Sequence, residues 1–274
     1  MRNYFILLIM ALLFTNCALA QFVGLKYINI DQANIVVTYS YRYQQDSTNP
    51  DKIRTSKMLL FLGNTISKFV NRANYIRDTA TRRFTSADQV IGYMQNPQHP
   101  MAAQLFQIYK NSPNGKITVT DHIPGSAYKF EEKMDLFQWN LTGDTSTILG
   151  YKAQKAICNF GGRNWVVWFS PEIPFNDGPY KFYGLPGLII KIHDTRNHHG
   201  FEILSVNKLA HRVIIDIEDK EYIITTKQGF FRADDSFRDD IISRAKDAGM
   251  DNNTQQIMAK NMAERNNPIE LIRK

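Results

Sequence analysis

Three imidazoles and one carboxylate stand close together in the sequence, at His193, Asp194, His198 and His199. Neutral imidazole is a good ligand for zinc or copper, and a carboxylate can complete such a site. The alternative is a polar, solvated loop between two strands, because no second group of Cys or His at metal-ligand spacing supports a metal. We predict no cofactor and keep a metal site at these four residues as the alternative.

Hydrolytic chemistry would need an acid or base beside a nucleophile. Glu172, Asp177 and Asp194 are the nearest acids or bases, and Ser170 and Cys158 are the nearest nucleophiles. Ser170 lacks the flanking glycines of a strained nucleophile turn, and Cys158 lies in a strand pattern, where a buried unreactive thiol is expected. The sequence therefore predicts no catalytic residue.

A loop rich in proline and glycine, residues 170–186, joins two apolar stretches and is too long for an ordinary hairpin turn. In Leu185-Pro186-Gly187-Leu188, proline fixes φ at the second turn position and glycine allows the positive φ of the third, which predicts a type II turn. Gly184 would allow a close approach of the backbone to a neighbour. A second turn is predicted at Asn176-Asp177-Gly178-Pro179. The two turns give seven signature residues: Gly178, Pro179, Gly184, Leu185, Pro186, Gly187 and Leu188.

The segment Gly184-Leu185-Pro186-Gly187-Leu188-Ile189 spells GLPGLI, and shorter matching pieces precede it from Gly150 onward. Among them are Gly162-Arg163, Trp168-Phe169-Ser170 and Gly178-Pro179. The chain resembles the GLPGLI family of Bacteroidetes, best over residues 150–194. The resemblance implies an exported, mostly antiparallel β protein in a family without an established activity, and it supplies no catalytic residue.

Two interpretations of the loop remain open. Long loops in compact domains are often functional, so the loop could form a rim that faces a ligand or partner. Its residues are, however, turn formers and apolar anchors, and these favour a buried corner that closes one end of the sheet.

Aromatic side chains stand on the strand that leads into the loop. Trp165 and Val167 fall on one face and Val166 and Trp168 on the other, because a strand alternates its side chains. If both faces are apolar, the C-terminal helices could cover one, and an apolar ligand held in a curved sheet could cover the other. The alternative, which we favour, is a filled core, because large aromatic side chains are usually buried. The candidate binding residues are Arg163, Trp165, Trp168 and Glu172.

Residues 1–20 have the pattern of a secretory signal peptide, with a basic start, an apolar stretch and small residues before a cleavage site after Ala20. The apolar stretch is too short to span a bilayer. The alternative is lipid attachment at Cys17, which is weaker because Asn16 precedes it instead of a small residue. We predict export to the periplasm, with an extracellular or lipid-anchored protein as alternatives.

The composition excludes some classes of protein. The formal net charge is +7, from 33 Lys and Arg against 26 Asp and Glu, but the basic residues are scattered, so we predict no nucleic-acid partner. No apolar run after the signal peptide is long enough to span a membrane. Without Cys17, the remaining cysteine is Cys158, so the fold must depend on its hydrophobic core and not on a disulfide.

Alternating stretches predict a series of short strands in sequential order. Residues 35–44 have one aromatic and one polar face, and residues 58–62 and 65–70 predict a hairpin. Further strands are predicted at 104–110, 116–121, 127–130, 137–141, 151–160, 165–169, 188–193, 201–208, 213–217 and 222–226. A short helix is predicted at 86–94, and helical spacing from residue 234 predicts two C-terminal helices, the second over 253–265.

The pattern indicates a mainly β (α+β) protein, a curved antiparallel β-meander or half-barrel with C-terminal helices packed against it. We expect a signal peptide at 1–20, a β domain at 21–230 and a helical segment at 231–274. The predicted function is a non-enzymatic binding, carrier or interaction protein of the cell envelope, with an apolar ligand or an outer-membrane or envelope protein as its partner. The alternative is a metal-dependent or hydrolytic envelope enzyme that uses the histidine cluster.

Overall fold

Twelve strands pair into one open sheet in the computed structural model, which describes residues 26–99 and 101–272. The strands are β1 (Tyr27–Gln44), β2 (Ile53–Leu62), β3 (Ser67–Asn71), β4 (Gln107–Lys110), β5 (Lys116–Ile123), β6 (Ser126–Lys133), β7 (Asn140–Ile148), β8 (Tyr151–Phe160), β9 (Arg163–Ser170), β10 (Leu188–Asp194), β11 (His199–Glu218) and β12 (Ile223–Ile224). The helices are α1 (Arg72–Thr81), α2 (Ala87–Gln95), α3 (Lys227–Asp239), α4 (Ile241–Asp247) and α5 (Asn252–Ala263). The predicted signal peptide and Cys17 lie outside the described residues.

The strand order is β12-β6-β5-β4-β3-β2-β1-β11-β10-β9-β8-β7. Each neighbouring pair is antiparallel except β12, which runs parallel to β6. The sheet therefore consists of two meanders that meet where β1 pairs with β11. The predicted mainly β fold with C-terminal helices is confirmed, as an open mixed sheet that does not close into a barrel.

The period of two in β1 decides which of its faces enters the core. Val37, Tyr39 and Tyr41 are buried, while Thr38 and Ser40 between them are only half-buried. The predicted aromatic face is thus the core face. The predicted hairpin is also confirmed, because β2 pairs with β3 in an antiparallel register.

Four elements differ from the prediction. The first of the two predicted C-terminal helices is two helices, α3 and α4, which meet at Asp240. The two strands predicted at 201–208 and 213–217 are one strand, β11, with a register shift where Lys208 pairs with Ile35 and Val213 pairs with Ala33. Strand β7 was placed too early, at 137–141, because as an exposed edge strand it has no buried alternation. Helix α1 was missed because it is strongly polar; the side chain of its N-cap Asn71 accepts a hydrogen bond from the Ala73 N–H.

The sheet and the C-terminal helices share one hydrophobic core. Phe230, Phe237, Ile241 and Met258 from the helices pack in the same cluster as the inner side chains of the sheet. Helix α3 begins at Lys227, slightly before the predicted boundary at 231, and α1 and α2 interrupt the predicted β domain. The predicted β domain and the predicted helical segment therefore share one hydrophobic core.

A second, smaller cluster lies on the other face of the sheet. It contains Leu59, Phe61, Val70 and Tyr109, with Tyr75 of α1 packed against it. Strand β2 consequently has both faces covered, which explains its continuous apolar run. Within the described residues, the helices are too short or too polar to cross a membrane.

Asp121 of β5 is an acid on the core face of the sheet. Alternation along the strand puts it on the same face as the buried Ile117, Val119 and Ile123. Its carboxylate accepts a hydrogen bond of 2.8 Å from the His122 N–H. Burial raises the pKa of Asp121 to about 7, because that single N–H bond only partly offsets the loss of water. The charge of Asp234 on α3 adds to the increase, and Lys181 opposes it.

We expect Asp121 to make the protein less stable as the pH rises. A pKa of about 7 in the folded protein, above the usual 3.8, means that the folded state binds the proton more tightly than the unfolded state. The contribution of Asp121 to stability should therefore be highest below pH 4, fall up to pH 7 and then level off. Asp121→Asn should remove this fall, roughly 2 kcal/mol, about half of what the full pKa change corresponds to, since the residue is half-buried.

The measurement is urea unfolding between pH 4 and pH 8, with Asp219→Asn at an exposed position as the matched control. A constant stability difference between wild type and Asp121→Asn over this range would contradict the assignment.

Candidate functional site

Lys110 of β4 is buried and binds the loop of residues 170–186, which we call the signature loop. Its Nζ donates hydrogen bonds to the carbonyl oxygens of Gly178, Tyr180 and Phe182 at 2.6, 3.3 and 3.3 Å, and it forms an ion pair with Asp177. Burial lowers the pKa of this lysine, and Asp177 opposes that decrease. One buried cation therefore binds three carbonyl oxygens within residues 178–182.

Both predicted turns of the loop are wrong in detail. Leu188 donates its N–H to Ile173 O and not to Leu185 O, while Gly187 donates to Leu185 O at 2.8 Å, so a three-residue turn around Pro186 replaces the type II turn. The upstream turn lies at 179–182 instead of 176–179, because the Phe182 N–H donates to Pro179 O at 3.1 Å. The sequence identifies the turn-forming residues, but hydrogen bonds to more distant residues, such as that from Leu188 N–H to Ile173 O, determine which turns they form.

Gly187 is the glycine of the loop where a side chain would fit least well. Its φ is +148°, and a Cβ there would overlap the carbonyl of Ser170 at the start of the loop. Gly184 has a φ of +94°, with only Trp139 near it. The close backbone approach predicted at Gly184 therefore occurs at Gly187, where the two ends of the loop meet.

The loop fills the concave side of the sheet. Tyr180, Phe182 and Leu185 are buried, and the Phe182 ring packs edge-on against Trp165 with 4.9 Å between ring centroids. Leu188 begins β10 and is fully buried. These placements match the buried-corner interpretation of the loop better than a ligand-facing rim.

Arg163, a predicted binding residue, binds another part of its own chain. Its side chain forms an ion pair of 2.7 Å with Asp194 and donates hydrogen bonds to Asn267 Oδ1, Pro268 O and Ile269 O at 2.6, 2.6 and 3.0 Å. Both side chains of the ion pair are 2% exposed. The guanidinium thus joins β9 and β10 to the C-terminal segment, which we define as residues 266–272.

Glu270 of the C-terminal segment enters a cluster of buried charges, which we call the Glu270 cluster: Lys181, Lys227, Glu132, Tyr180 and Glu270. Glu270 Oε1 accepts hydrogen bonds from Lys181 Nζ at 2.6 Å and Tyr180 Oη at 2.7 Å, while Lys227 Nζ lies 2.7 Å from Oε2. Glu132 pairs with both lysines. Two cations and two anions therefore balance each other inside the protein.

The surroundings of Glu270 favour its ionised form. Burial alone would raise its pKa, but Lys181 and Lys227 more than offset this and lower the value from 4.5 to about 2. The phenol of Tyr180 has a pKa raised above its usual value, by burial first and then by the charge of Glu270, so it stays a hydrogen-bond donor.

The four predicted metal ligands do not come together. Asp194 is bound to Arg163, and His199 uses both ring nitrogens: Nε2–H donates to Asn267 O at 3.1 Å, and Nδ1 accepts from Tyr41 Oη at 2.7 Å. Burial lowers the pKa of His199 to about 3. Strand alternation puts His193 on the face opposite Asp194.

Among the described residues, no group of three or more His, Cys, Asp and Glu side chains is arranged to hold a metal. The hypothesis of a metal site at His193, Asp194, His198 and His199 is therefore not supported.

The candidate nucleophiles also have structural roles. Cys158 is buried, and burial raises the pKa of its thiol to about 12, so the reactive thiolate is disfavoured. The Ser170 hydroxyl donates to Lys152 O at 2.7 Å and is fully buried. Neither group is placed to attack a substrate.

Trp168 and Glu172 lie outside the fully buried core, although Trp168 packs against its edge. Trp168 is half-buried on the outer face of the sheet, directly opposite Lys155 on β8 and Lys191 on β10. Glu172 is exposed, and its Oε2 accepts a hydrogen bond of 3.1 Å from the Lys152 N–H. It lines an open pocket of about 480 Å³ with the hydroxyl-bearing residues of β7. Of the four candidate binding residues, these two are accessible, whereas Arg163 and Trp165 are buried.

One family profile and two solved structures are similar to parts of this chain. The profile of a family described as "Protein of unknown function (Porph_ging)" matches residues 162–191, which lie within the segment of GLPGLI resemblance. No curated protein matches the chain.

Two solved structures resemble the fold. A structure of PNGF-II in space group P21 has a TM-score of 0.52 at 14% identity, over 76% of this chain and 34% of that chain. A second, in space group C2, has a TM-score of 0.47 at 15% identity, over 84% and 33%. The chain spans about a third of the length of these structures, and at such identity the likeness concerns the fold alone.

Sequence reasoning missed the buried lysines and Glu270. Lys110 and Lys181 each stand beside aromatic residues in apolar surroundings, where a charged residue is unusual, and this was the available signal. Glu270 offers no comparable pattern, because only the folded chain brings it to the lysines.

Gly187→Ala should destabilise the protein by about 3 kcal/mol, because the added Cβ would overlap the Ser170 carbonyl and the backbone angle disfavours alanine. Gly143→Ala is the matched control, since a Cβ there has nothing within 4 Å, and it should change stability by less than about 1 kcal/mol. Equal effects of the two substitutions in thermal unfolding would show that the closure of the loop is not constrained as described.

Glu270→Gln should cost about 3 kcal/mol at pH 7, because it leaves buried positive charge in excess and each unit of pKa corresponds to about 1.4 kcal/mol. Since the folded pKa is lowered, this contribution is complete above pH 4.5 and is lost as the pH falls towards 2. Denaturant unfolding from pH 7 to pH 2 should show the two proteins converging.

The control is Glu131→Gln, which removes an exposed pair with Lys116 and should cost less than about 1 kcal/mol. A Glu270→Gln penalty as small as the control's would refute the role of the cluster.

Proposed function

We propose that the protein is an exported, non-enzymatic interaction protein of the cell envelope, which binds an envelope protein through the outer face of β8, β9 and β10. The pattern of residues 1–20 supports export, with cleavage after Ala20 and a periplasmic product. The observation that carries the proposal is Trp168, a half-buried tryptophan between two lysines on this face.

The packing of the concave side favours this protein partner over an apolar ligand. Side chains of the loop and of the C-terminal helices occupy the space that a carried ligand would need. Phe137 and Phe182, whose rings are 5.1 Å apart, show how closely the interior is filled. A partner is therefore best placed on the outside of the sheet.

The chemistry of the interior argues for binding and not for catalysis. The buried acids Asp194 and Glu270 are neutralised by basic side chains, and the buried His199 has both ring nitrogens in hydrogen bonds. Groups committed to such pairs are poor acids, bases or nucleophiles.

The outer face has the composition of a protein-binding surface. Trp168 and Val166 are half-buried and Ile157 is 37% exposed, so the centre is aromatic and aliphatic. Lys155 and Lys191 flank it, in exposed ion pairs with Asp144 and Glu202 that are easily exchanged for pairs with a partner. Tryptophan at the centre of such a surface often contributes most of the binding energy. Acidic groups on the partner would complement the two lysines.

Site-specific photo-cross-linking in intact cells tests the proposal. A photoreactive residue at Ile157 should give one defined product in the envelope fraction, formed by a protein whose chain begins at Gln21. Trp168→Ala in the same chain should reduce that product at least tenfold, since loss of a central tryptophan costs about 2 kcal/mol or more.

The matched control is the same photoreactive residue at Ile28, which is 54% exposed but lies at the far end of β1. Equal products at both positions, or a product at Ile157 that Trp168→Ala leaves unchanged, would refute the proposed surface. A cytoplasmic protein that keeps residues 1–20 would refute export.

A further inference from the structure

The C-terminal segment lies in a groove on the concave side and has no regular secondary structure. One wall of the groove is the start of β9 with Arg163, and the other is the signature loop with Tyr180 and Lys181. The floor is the turn between β8 and β9, where a Cβ at Gly162 would lie 2.9 Å from Ile272 Cγ1. Because Gly162 has no side chain, the extended segment can lie directly on this turn.

Part of the recognition involves only the main chain of the segment. Arg163 donates to the carbonyl oxygens of Pro268 and Ile269. In the other direction, the N–H groups of Leu271 and Ile272 donate to Gly161 O at 2.6 and 3.3 Å. Such contacts can be made with any extended peptide, whatever its side chains.

Two side chains of the segment give the recognition its specificity. Asn267 accepts a hydrogen bond from Arg163 and donates one of 2.8 Å to Gln44 O, and it is 6% exposed. Glu270, 1% exposed, supplies the carboxylate to the Glu270 cluster. An asparagine and a glutamate three positions apart are therefore the groups that the groove selects.

The walls keep internal partners that do not depend on the segment. Lys181 and Lys227 both pair with Glu132, and the Lys181 ammonium lies 5.6 Å from the centre of the Phe130 ring. Arg163 keeps its ion pair with Asp194. The cationic groove is thus held in place by groups other than its occupant.

The segment itself contributes little apolar burial at its end. Ile269 packs against the core, whereas Leu271 is 38% exposed and Ile272 is 58% exposed, so hydrogen bonds and charge hold the last two residues. Contacts of this kind can be replaced by the same contacts from another peptide.

We infer that the groove is a peptide-binding site and that residues 266–272 are its tethered occupant. The site takes an extended peptide with asparagine and glutamate three positions apart, and an external segment of this type can replace the tail. The tether gives the tail an effective concentration in the millimolar range, so an external peptide competes poorly until the tail is weakened. The groove lies on the face opposite Trp168, so this inference and the proposed outer binding surface stand or fall separately.

The test uses the full chain with Asn267→Ala and Glu270→Ala together, which weakens the tail and keeps the walls. The probe is a fluorescent nonapeptide with the sequence of residues 266–274, NNPIELIRK, and binding is followed by fluorescence polarisation. We expect the double variant to bind it at least tenfold more tightly than wild type does. A peptide with alanine in place of its glutamate should bind the double variant at least tenfold more weakly.

The matched control is Asn253→Ala with Glu221→Ala, which changes the same residue types at exposed positions and should bind the peptide like wild type. Equal affinity of the double variant for both peptides, or no binding at 1 mM peptide, would overturn the inference.

Hydrogen exchange of the wild-type protein decides the question if the double variant does not fold. A replaceable tail predicts that the amides of Leu271 and Ile272 exchange through local opening, faster than that of Trp165 in β9. Exchange of these amides only through global unfolding would show that the tail is a permanent part of the core and would overturn the inference.

Discussion

Buried charge determines the arrangement of the concave side. Arg163, Lys110 and Lys181 are almost completely enclosed, and an unpaired charge in such a position costs several kcal/mol. Their anionic partners include Asp194 at the end of a strand and Glu270 near the end of the chain. Because Glu270 is distant in sequence from Lys181, their ion pair brings the loop and the C-terminal segment together on the core side of the sheet.

The same constraint accounts for the form of the signature loop. Lys110 binds three of its carbonyl oxygens, and Gly187 lets the end of the loop pass the Ser170 carbonyl at its start. Gly187 thus allows the two ends of the loop to meet, and Lys110 fixes the backbone between them. The run of turn residues therefore lets ordered backbone pack on the core side of the sheet.

The two proposed interaction surfaces differ in kind. The outer face around Trp168 is made of side chains from three strands, and we propose that it binds a folded protein. The groove along Arg163 and Lys181 recognises main chain and a carboxylate, which suits an extended segment. The carrier interpretation stays a prediction, while side chains of the loop and of the C-terminal helices pack in the core on this side of the sheet.

The sequence by itself determined most strands, because a strand with one buried face has a period of two, as in residues 35–44. It failed at β7 and α1, where exposed polar residues have no such period. It also identified Arg163 and Trp168 as residues of interest, although not their roles. Only the tertiary structure decided that Glu270 is the partner of Lys181, 2.6 Å away. The strength of an ion pair depends on distance and on exclusion of water, and neither quantity exists until the chain is folded.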